Sequence, residues 1–451
     1  MPGTQATTGT GAPRLERALG LRGAVLFGLA YMTPIIVLGI FGVIAETSHG
    51  ATAGAYLLAT VAMLFTASSY ARMAHHHPVA GSSYTYVRRS LDSRVGFLVG
   101  WTILLDYLFL PLVIWLIGTA YLEAEIPAVP KEVWVAGFIV VTTTLNVIGL
   151  KVADKANLVL MSFQVLVLAV FVGLCVYHLT STDGPGSLLS IEPFVGTGGF
   201  GAIAAGAAIA AYSFLGFDAV STLTEEVRDA PRTVPRAIVL VAVLGGVIFL
   251  VVSYTVSLVA PGDSFPDTDS VAADVATTIG GAAFSAFFVA GLVIGQFTSG
   301  LAAQAAVSRL LYAMGRDDVL PRRVFGRLSP RFTTPTVNIV LAGLVGLGAL
   351  ALNVSTSTSF INFGGFLAFT MVNVSVLAHW LRHRHDGERL NPVLYVAVPA
   401  VGAVVDVYLL TQLDGAAHVV GGTWLGLGVL YLLWLTRGLR RPPPEMTDPA
   451  G

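Results

Sequence analysis

The stretch Tyr31-Met32-Thr33-Pro34, followed by Ile35 to Gly39 and then by Phe41-Gly42, lies inside the first long apolar run of the chain, residues 23–45. Proline removes a backbone hydrogen-bond donor, and glycine weakens a helix around it. The pattern therefore predicts a helix that breaks near its middle.

A second interruption of the same kind lies in the apolar run 200–224. There, Ser213-Phe214-Leu215-Gly216-Phe217-Asp218 places a glycine at mid-run beside a carboxylate. Each interruption alone is also compatible with an ordinary kink or with close packing of small residues. Two interruptions five spans apart favour a transporter site, in which half-helix ends and unwound carbonyls meet the charged groups of a substrate or a cation.

The composition agrees with a chain that resides in a membrane. Of its 451 residues, 55% are hydrophobic and only 11% are charged, against roughly 25% charged in soluble domains. A net charge of −1 excludes a basic nucleic-acid binder, and the single cysteine, Cys175, excludes a disulfide framework or a thiolate metal site. The fold class predicted is an all-α polytopic membrane protein.

Twelve stretches are long and apolar enough to cross a bilayer, which requires about 20 residues. Continuous apolar character over such lengths indicates helices rather than the strands of a membrane barrel. The ninth stretch is short. The twelve are approximately 23–45, 52–73, 95–122, 133–150, 155–178, 200–224, 236–260, 281–308, 335–353, 357–381, 393–412 and 417–436.

The basic residues give the predicted orientation. With these twelve spans, 24 of the 25 lysines and arginines fall on the side of the N-terminus, and Lys131 alone falls on the other side. Lysine and arginine accumulate in cytoplasmic loops, so both termini are predicted to be cytoplasmic in a cell membrane. The predicted organisation is an N-terminal tail (1–20), two five-helix repeats (21–180 and 200–389), helices 11 and 12 (390–436) and a C-terminal tail (437–451).

Three carboxylates are predicted at membrane depth: Asp106 in span three, Asp218 in span six and Asp406 in span eleven. A carboxylate at that depth is costly and marks a candidate functional site, as a proton carrier or as a counter-ion for an ammonium group. Asp218 is the strongest candidate because it adjoins the break, although it could also cap a helix. For Asp106, a structural hydrogen bond is an equal alternative. Asp406 lies outside the ten-span repeat, which favours a structural or lipid-interface role.

Two further groups lie at the predicted cytoplasmic ends of the spans. Glu225 and Glu226 are candidates for an inner gate that pairs with arginines, and a solvated pair is the alternative. The three adjacent histidines His75, His76 and His77 cannot all face one metal from a helix, and no second cluster accompanies them in the sequence. No metal site and no cofactor are predicted.

These residues make the chain similar to the amino acid–polyamine–organocation (APC) superfamily of permeases, and within it to bacterial putrescine importers. The resemblance covers nearly the whole chain. It rests on the first break with Leu29-Ala30 before it, Pro78 to Tyr86, Leu105 to Pro111, Ser213 to Glu226, Ser308 to Asp317 with Pro321, and Ile361 to Gly364.

The resemblance implies a leucine-transporter-like fold of twelve transmembrane helices, with a 5+5 inverted repeat and broken helices 1 and 6. It implies alternating access, proton-driven uptake and a central site between spans one, three, six, eight and ten. In such relatives the acidic residue that matches Asp218 couples protons to substrate, and the aromatic residue that matches Tyr212 covers the substrate. The glutamates that match Glu225 and Glu226 are shared with the putrescine importers.

Two positions depart from the relatives. Gly39 stands where putrescine importers carry an aspartate, and Gln164 stands where some proton-coupled relatives carry a lysine. The first change removes a carboxylate that could hold one end of a diamine, which favours a monoamine or a zwitterionic amino acid.

The leading hypothesis is a proton-coupled importer of a small amine or amino acid. Its predicted partners are that substrate, protons and the lipid bilayer. An exchanger of substrate for product, a non-transporting amine sensor and an intramembrane enzyme remain as alternatives. The predicted substrate-binding residues are Tyr31, Thr33, Gly39, Asp106, Tyr107, Tyr212, Phe214, Phe217 and Asp218, and Asp218 is also the predicted proton-coupling residue.

Overall fold

The computed structural model describes residues 19–78, 82–149, 154–181, 187–224, 226–332, 334–384 and 390–444. Within them the regular structure is helical, apart from one isolated parallel bridge between Leu19 and Val227. The predicted N-terminal tail lies almost wholly outside these residues, as do Glu225 and the last part of the C-terminal tail.

The first half of the chain forms five spans and one short helix between the second and third. Three helical pieces make up the first span, which is broken as the sequence predicts. The helices are α1 (Leu21–Met32), α2 (Ile36–Gly39), α3 (Phe41–Thr47), α4 (Thr52–His76), the short α5 (Ser82–Ser90), α6 (Ser93–Glu125), α7 (Lys131–Ile148) and α8 (Asp154–Thr180).

The second half again contains one span in pieces. After the short α9 (Glu192–Val195), the sixth span consists of α10 (Gly199–Ala210) and two 3₁₀ turns, Ala211–Phe214 and Asp218–Leu223. The remaining helices are α11 (Ala230–Val259), α12 (Val271–Arg316), the short α13 (Arg322–Phe325), α14 (Thr336–Gly346), α15 (Val354–His383), α16 (Val398–Thr411) and α17 (Gly415–Leu435).

Eleven of these segments are long and apolar enough to cross a membrane. Each matches one predicted span, and the ninth predicted span is the shorter apolar helix Thr336–Leu350. The α-helical part of this segment is short because it begins directly after Pro335 and ends at Gly346. The last four residues, Leu347–Leu350, form a 3₁₀ turn. The fold class is thus an all-helical polytopic membrane protein.

The predicted eighth span is part of a longer helix, α12, which is interrupted at Gly281. The backbone φ of this glycine is +72°, outside the helical range. The residues before Gly281 form a separate first segment of α12, and the predicted span 281–308 begins at this break. A left-handed φ is accessible to glycine at little cost, so the chain can turn here.

Small residues let the central helices approach closely. Gly245 and Gly246 of α11 lie against Met32 of α1 and Thr60 of α4, so that an added Cβ would displace the Met32 methyl group or clash with Thr60. Such contacts hold helices together in a membrane, where the apolar surroundings offer little drive for association. The two broken spans are packed in this core.

Candidate substrate site

The first break is centred on Thr33. Its φ is +50° and its ψ is 75°, a left-handed conformation that ends α1, and Pro34 follows. A threonine in this region is strained, because its Cβ crowds the backbone. From Met32 to Ala45 every residue is buried, so the half of this span after the break is enclosed by protein.

The second break is centred on Gly216, where φ is +129°. A Cβ placed on Gly216 would lie 2.9 Å from the backbone nitrogen of Met32 and 2.9 Å from Cδ1 of Tyr31. The two breaks are therefore in direct contact, and glycine is required both by the backbone conformation and by the close approach.

A cavity of about 150 Å³ lies beside the breaks. It is lined by five spans, namely one, three, five, six and eight, and no lining residue carries a charge. The polar groups among these residues are Tyr31, Thr33, Gln164, Tyr212, Gln296, Thr298 and Ser299, and apolar residues such as Phe27, Leu110, Ile114, Met161 and Leu215 complete the wall.

The position of the cavity along the spans follows from chain direction. Consecutive spans cross in opposite directions, so early residues of α8, such as Gln164, and late residues of α12, such as Ala303, lie toward the side where the chain begins. Phe27, early in α1, lies on that side too. The cavity therefore extends from the breaks toward the N-terminal side of the bundle.

Three of the predicted substrate residues, Tyr31, Thr33 and Tyr212, line this cavity. Tyr31 also joins it to the two carboxyl groups, since its hydroxyl interacts electrostatically with Tyr107, Asp106 and Asp218. Asp106 and Asp218 do not line the cavity, and the charge of Asp218 acts on the Asp106 carboxyl group.

Asp218 binds the backbone of its own break. Its Oδ1 accepts a hydrogen bond from the Gly216 amide at 3.3 Å, and the amides of Asp218 and Ala219 also interact with the carboxylate. A carboxylate that accepts amides at the start of a helix is stabilised by charge-assisted hydrogen bonds. The carboxylate of Asp218 thus binds the backbone of the break itself, while the helix cap that the sequence left open as an alternative stays a prediction.

Asp106 has an oxygen without a donor among the described residues. Its Oδ1 is buried and accepts no hydrogen bond there. Gly364 of α15 approaches the backbone of this turn of α6 so closely that a Cβ would lie 2.6 Å from the Thr102 carbonyl oxygen. The backbone that carries Asp106 is therefore packed against α15, and the carboxyl group retains capacity for one more donor.

Gly39 lies outside the cavity. A Cβ placed on it would meet Ile117 at 3.2 Å, Ile36 at 3.3 Å and Leu292 at 3.9 Å. The neighbouring carbonyl of Leu38 is already occupied, because the Tyr121 hydroxyl donates to it over 2.6 Å. The surroundings at this position are apolar.

Phe214 and Phe217 also lie away from the cavity, each in an aromatic cluster. The ring of Phe214 packs edge-on against Phe249 at 5.1 Å between centroids. Phe217 packs against Tyr70 at 5.6 Å and Phe369 at 5.4 Å. Both fix the sixth span to its neighbours.

Glu226 lies next to Leu19, the first residue that the structure describes. Its carbonyl accepts a hydrogen bond from the Leu19 amide at 3.0 Å, and the Arg228 amide donates to the Leu19 carbonyl at 2.8 Å. This bridge ties the segment before α1 to the segment after the sixth span. The other predicted gate residue, Glu225, lies outside the described residues.

Span ten, formed by α15, is hydrogen-bonded to the last turn of α10. Asn362 of α15 donates through Nδ2 to the carbonyl oxygens of Ala208 at 2.7 Å and Ile209 at 3.3 Å, immediately before the second break. Span five, by contrast, contributes Met161 and Gln164 to the cavity.

Two site residues that the sequence did not single out as binding groups are Gln164 and Gln296. Both are almost fully buried, and Gln164 Oε1 and Gln296 Nε2 have no hydrogen-bond partner among the described residues. An amide at membrane depth in an apolar run is the signal that could have identified them.

The model of the family described as "Amino acid permease" matches residues 24–434 of this chain. The chain belongs to the amino acid permease family. This permease is 37% identical to the low-affinity putrescine importer PlaP of Escherichia coli (strain K12) over 447 residues, which cover 98% of this chain and 99% of that protein. The APC resemblance and the assignment as a transporter rather than an enzyme are confirmed.

Two more distant relatives of the permease are named for other substrates. It is 26% identical to the methylthioribose transporter of Bacillus subtilis (strain 168), with 93% of this chain and 94% of that protein covered. It is 24% identical to the branched-chain amino acid permease BcaP of the same strain, with 94% of each covered.

Proposed function

We propose that this permease imports a small amine or amino acid together with protons by alternating access. The observation that carries the proposal is the position of Tyr31, whose side chain lines the cavity while its hydroxyl interacts with Asp106 and Asp218. Through Tyr31, a substrate in the uncharged cavity and a proton on either carboxyl group influence each other.

The size of the cavity suits such a substrate. An engineered cavity of about 150 Å³ in another protein binds benzene, so a cavity of this volume holds a molecule of about six heavy atoms. A six-heavy-atom diamine or a small amino acid is of similar size, and the putrescine importer relative supports an amine. An ammonium group that moves past Tyr31, out of the cavity, would find an acceptor in Asp106 Oδ1, and the Tyr31 ring would add a cation–π contact of about 0.5–2 kcal/mol.

Proton coupling is proposed at Asp218. Its carboxylate accepts backbone amides at the second break, and protonation would weaken these charge-assisted hydrogen bonds. Because Gly216 touches Tyr31 and Met32, a change in the second break is transmitted directly to the first. Protonation of Asp218 would thus change the position of Tyr31 and with it the shape of the cavity.

The architecture proposed is two inverted five-helix repeats with both termini in the cytoplasm. The cavity extends toward the N-terminal side, and the outer half of the first span is buried. In this orientation the structure corresponds to an inward-facing state. A second candidate function, exchange of substrate for product, uses the same site and differs only in needing internal substrate.

The test is uptake into proteoliposomes with an imposed proton gradient. Labelled putrescine, a monoamine and a branched-chain amino acid are offered in turn, and a protonophore is expected to abolish accumulation of the transported one. Asp218→Asn is expected to remove the pH dependence of uptake. Asp414→Asn, which changes a partly buried helix cap far from the cavity in sequence, is expected to leave it unchanged.

Three results would contradict the proposal. Unchanged pH-dependent uptake by Asp218→Asn would exclude Asp218 as the coupling residue. Uptake that requires internal substrate and ignores the gradient would establish an exchanger. Saturable binding without any accumulation would establish a sensor.

A further inference from the structure

Asp406 of α16 is completely buried, which excludes the lipid-interface role considered from the sequence. Its Oδ2 accepts two hydrogen bonds, one from Thr66 Oγ1 of α4 at 2.9 Å and one from Asn373 Nδ2 of α15 at 2.9 Å. Asn373 Nδ2 also lies 3.2 Å from Thr66 Oγ1. The three residues join three helices at one point.

Two oxygens in this cluster lack a donor. Asp406 Oδ1 and Asn373 Oδ1 are both buried and accept no hydrogen bond from the described residues. No lysine or arginine of the described chain forms an ion pair with Asp406. An ionised carboxylate here would remain an uncompensated charge, which is strongly unfavourable in an apolar interior.

The Asn373 amide is held against α16 by a glycine. A Cβ placed on Gly402, one turn before Asp406, would lie 2.8 Å from Asn373 Oδ1 and 2.9 Å from Asn373 Nδ2. Only glycine leaves room for the amide at this position, so the contact between Asn373 and α16 is built into the packing.

We propose that Asp406 is a proton-binding site separate from the substrate cavity. A proton bound at Oδ1 converts the carboxylate into a neutral acid, which then donates to Asn373 Oδ1. Together with the hydrogen bond from Asn373 Nδ2 to Asp406 Oδ2, this makes a paired acid–amide contact. One proton thus satisfies both orphan oxygens and removes the buried charge.

Among the described residues, the groups that act on the carboxyl group of Asp406 are the Thr66 hydroxyl and the Asn373 amide, and neither carries a charge. The titratable residues nearest in sequence on the packed segments are Tyr70 on α4, His379 on α15, Tyr395 just before α16 and Tyr408 on α16, and α10 contains none. The bound proton therefore stabilises the contact of α16 with α4 and α15, independently of Asp218.

Infrared spectroscopy of the full chain in lipid tests the proposal directly. At neutral pH the wild type is expected to show the C=O stretching band of a protonated, hydrogen-bonded carboxylic acid, and Asp406→Asn is expected to lose it. Asn373→Leu, which removes the acceptor, is expected to shift this band to higher frequency. A difference spectrum of wild type minus Asp406→Asn that lacks such a band would overturn the proposal, since acid bands of Asp106 or Asp218 cancel in it.

Two thermal measurements distinguish a bound proton from a bound metal cation and from a purely steric role of the side chain. Asp406→Asn retains a neutral donor and is expected to melt close to the wild type, whereas Asp406→Leu is expected to melt at least about 4 °C lower. Equal destabilisation by both would overturn the proposal. So would an increase in the melting temperature of the wild type, absent in Asp406→Asn, when sodium replaces choline at constant ionic strength, because it would identify a metal cation as the ligand.

Discussion

The side-chain amide of Asn362 donates a hydrogen bond of 2.7 Å to the carbonyl oxygen of Ala208, across the contact between spans ten and six. This carbonyl belongs to the last turn of α10, just before the helix changes to a 3₁₀ turn at Ala211. Helix ends leave carbonyls without an intrahelical partner. Asn362 binds a carbonyl in this last turn and so ties span ten to the segment that leads into the second break.

Replacing Asn362 by alanine is expected to lower the free energy of unfolding by about 1–2 kcal/mol, because a buried carbonyl loses its donor. Transport should fall by more than this loss of stability explains, since the break that bears Asp218 is released. Thermal unfolding and liposome uptake measure the two effects. Asn391→Ala, which removes an exposed amide that caps Val393, is the matched control. Wild-type uptake by Asn362→Ala would contradict this role.

Gly216→Ala is expected to abolish transport while the protein still inserts. Its Cβ would lie 2.9 Å from the Met32 backbone and from the Tyr31 ring, and a φ of +129° disfavours any L side chain. Gly137→Ala is the control, since nothing lies within 4 Å of a Cβ at that helical position. Uptake assays on equal amounts of folded protein compare the two. Equal activity would show that the breaks need not touch.

Gln164→Lys is expected to weaken binding of a cationic amine at least tenfold, about 1.4 kcal/mol, because it places a positive charge in an otherwise uncharged cavity. Gln164→Glu, of similar size and opposite charge, should retain or strengthen that binding. Thermal-shift titrations with putrescine and with a neutral zwitterion report the affinities. If both variants affect both ligands alike, the substrate does not approach Gln164.

In the segment between α11 and α12, burial raises the pKa of Asp269 to about 6, and the charges of Asp267 and Glu46 contribute to this rise against the opposing effect of Lys131. The folded state therefore holds this proton more tightly than the unfolded chain, whose carboxyl titrates near 4. The resulting stabilisation is complete below about pH 4 and is lost as the pH rises through 6.

Asp269→Asn is expected to melt like the wild type at pH 4 and at a higher temperature above pH 6. At about 1.4 kcal/mol per pKa unit, the gain is at most about 3 kcal/mol. Melting curves between pH 4 and 8 measure it. Asp274→Asn, which removes an exposed carboxylate five residues further along, controls for the loss of one negative charge. A pH-independent difference would contradict the assignment.

Much of the fold was predictable because its signals are local. Pro34 and Gly216 predict breaks wherever the chain packs, and the structure has them at Thr33 and Gly216. The approximate limits of the spans follow from hydropathy alone. The ninth span was recognisable as short, although its 3₁₀ end at Leu350 was not.

The face of each helix that lines the cavity was less predictable. Phe214 and Phe217 flank the second break in sequence but pack into aromatic clusters, while Tyr212 reaches the cavity. Lipid and protein interior are both apolar, so the sequence of a span does not show which of its sides meets a binding site. Gln164 and Gln296 are exceptions, because a polar amide within an apolar span indicates which side of the helix faces the cavity.

By itself, the sequence determined membrane residence, the approximate limits of the apolar segments, and the two breaks, because these depend on hydropathy and on the backbone chemistry of proline and glycine. Only the tertiary structure decided that Tyr31 joins the cavity to Asp106 and Asp218, that Gly39 faces apolar side chains, and that Asp406 is buried among three helices. These relationships depend on how distant segments pack, and the energies that select one packing are spread over contacts between residues far apart in the chain.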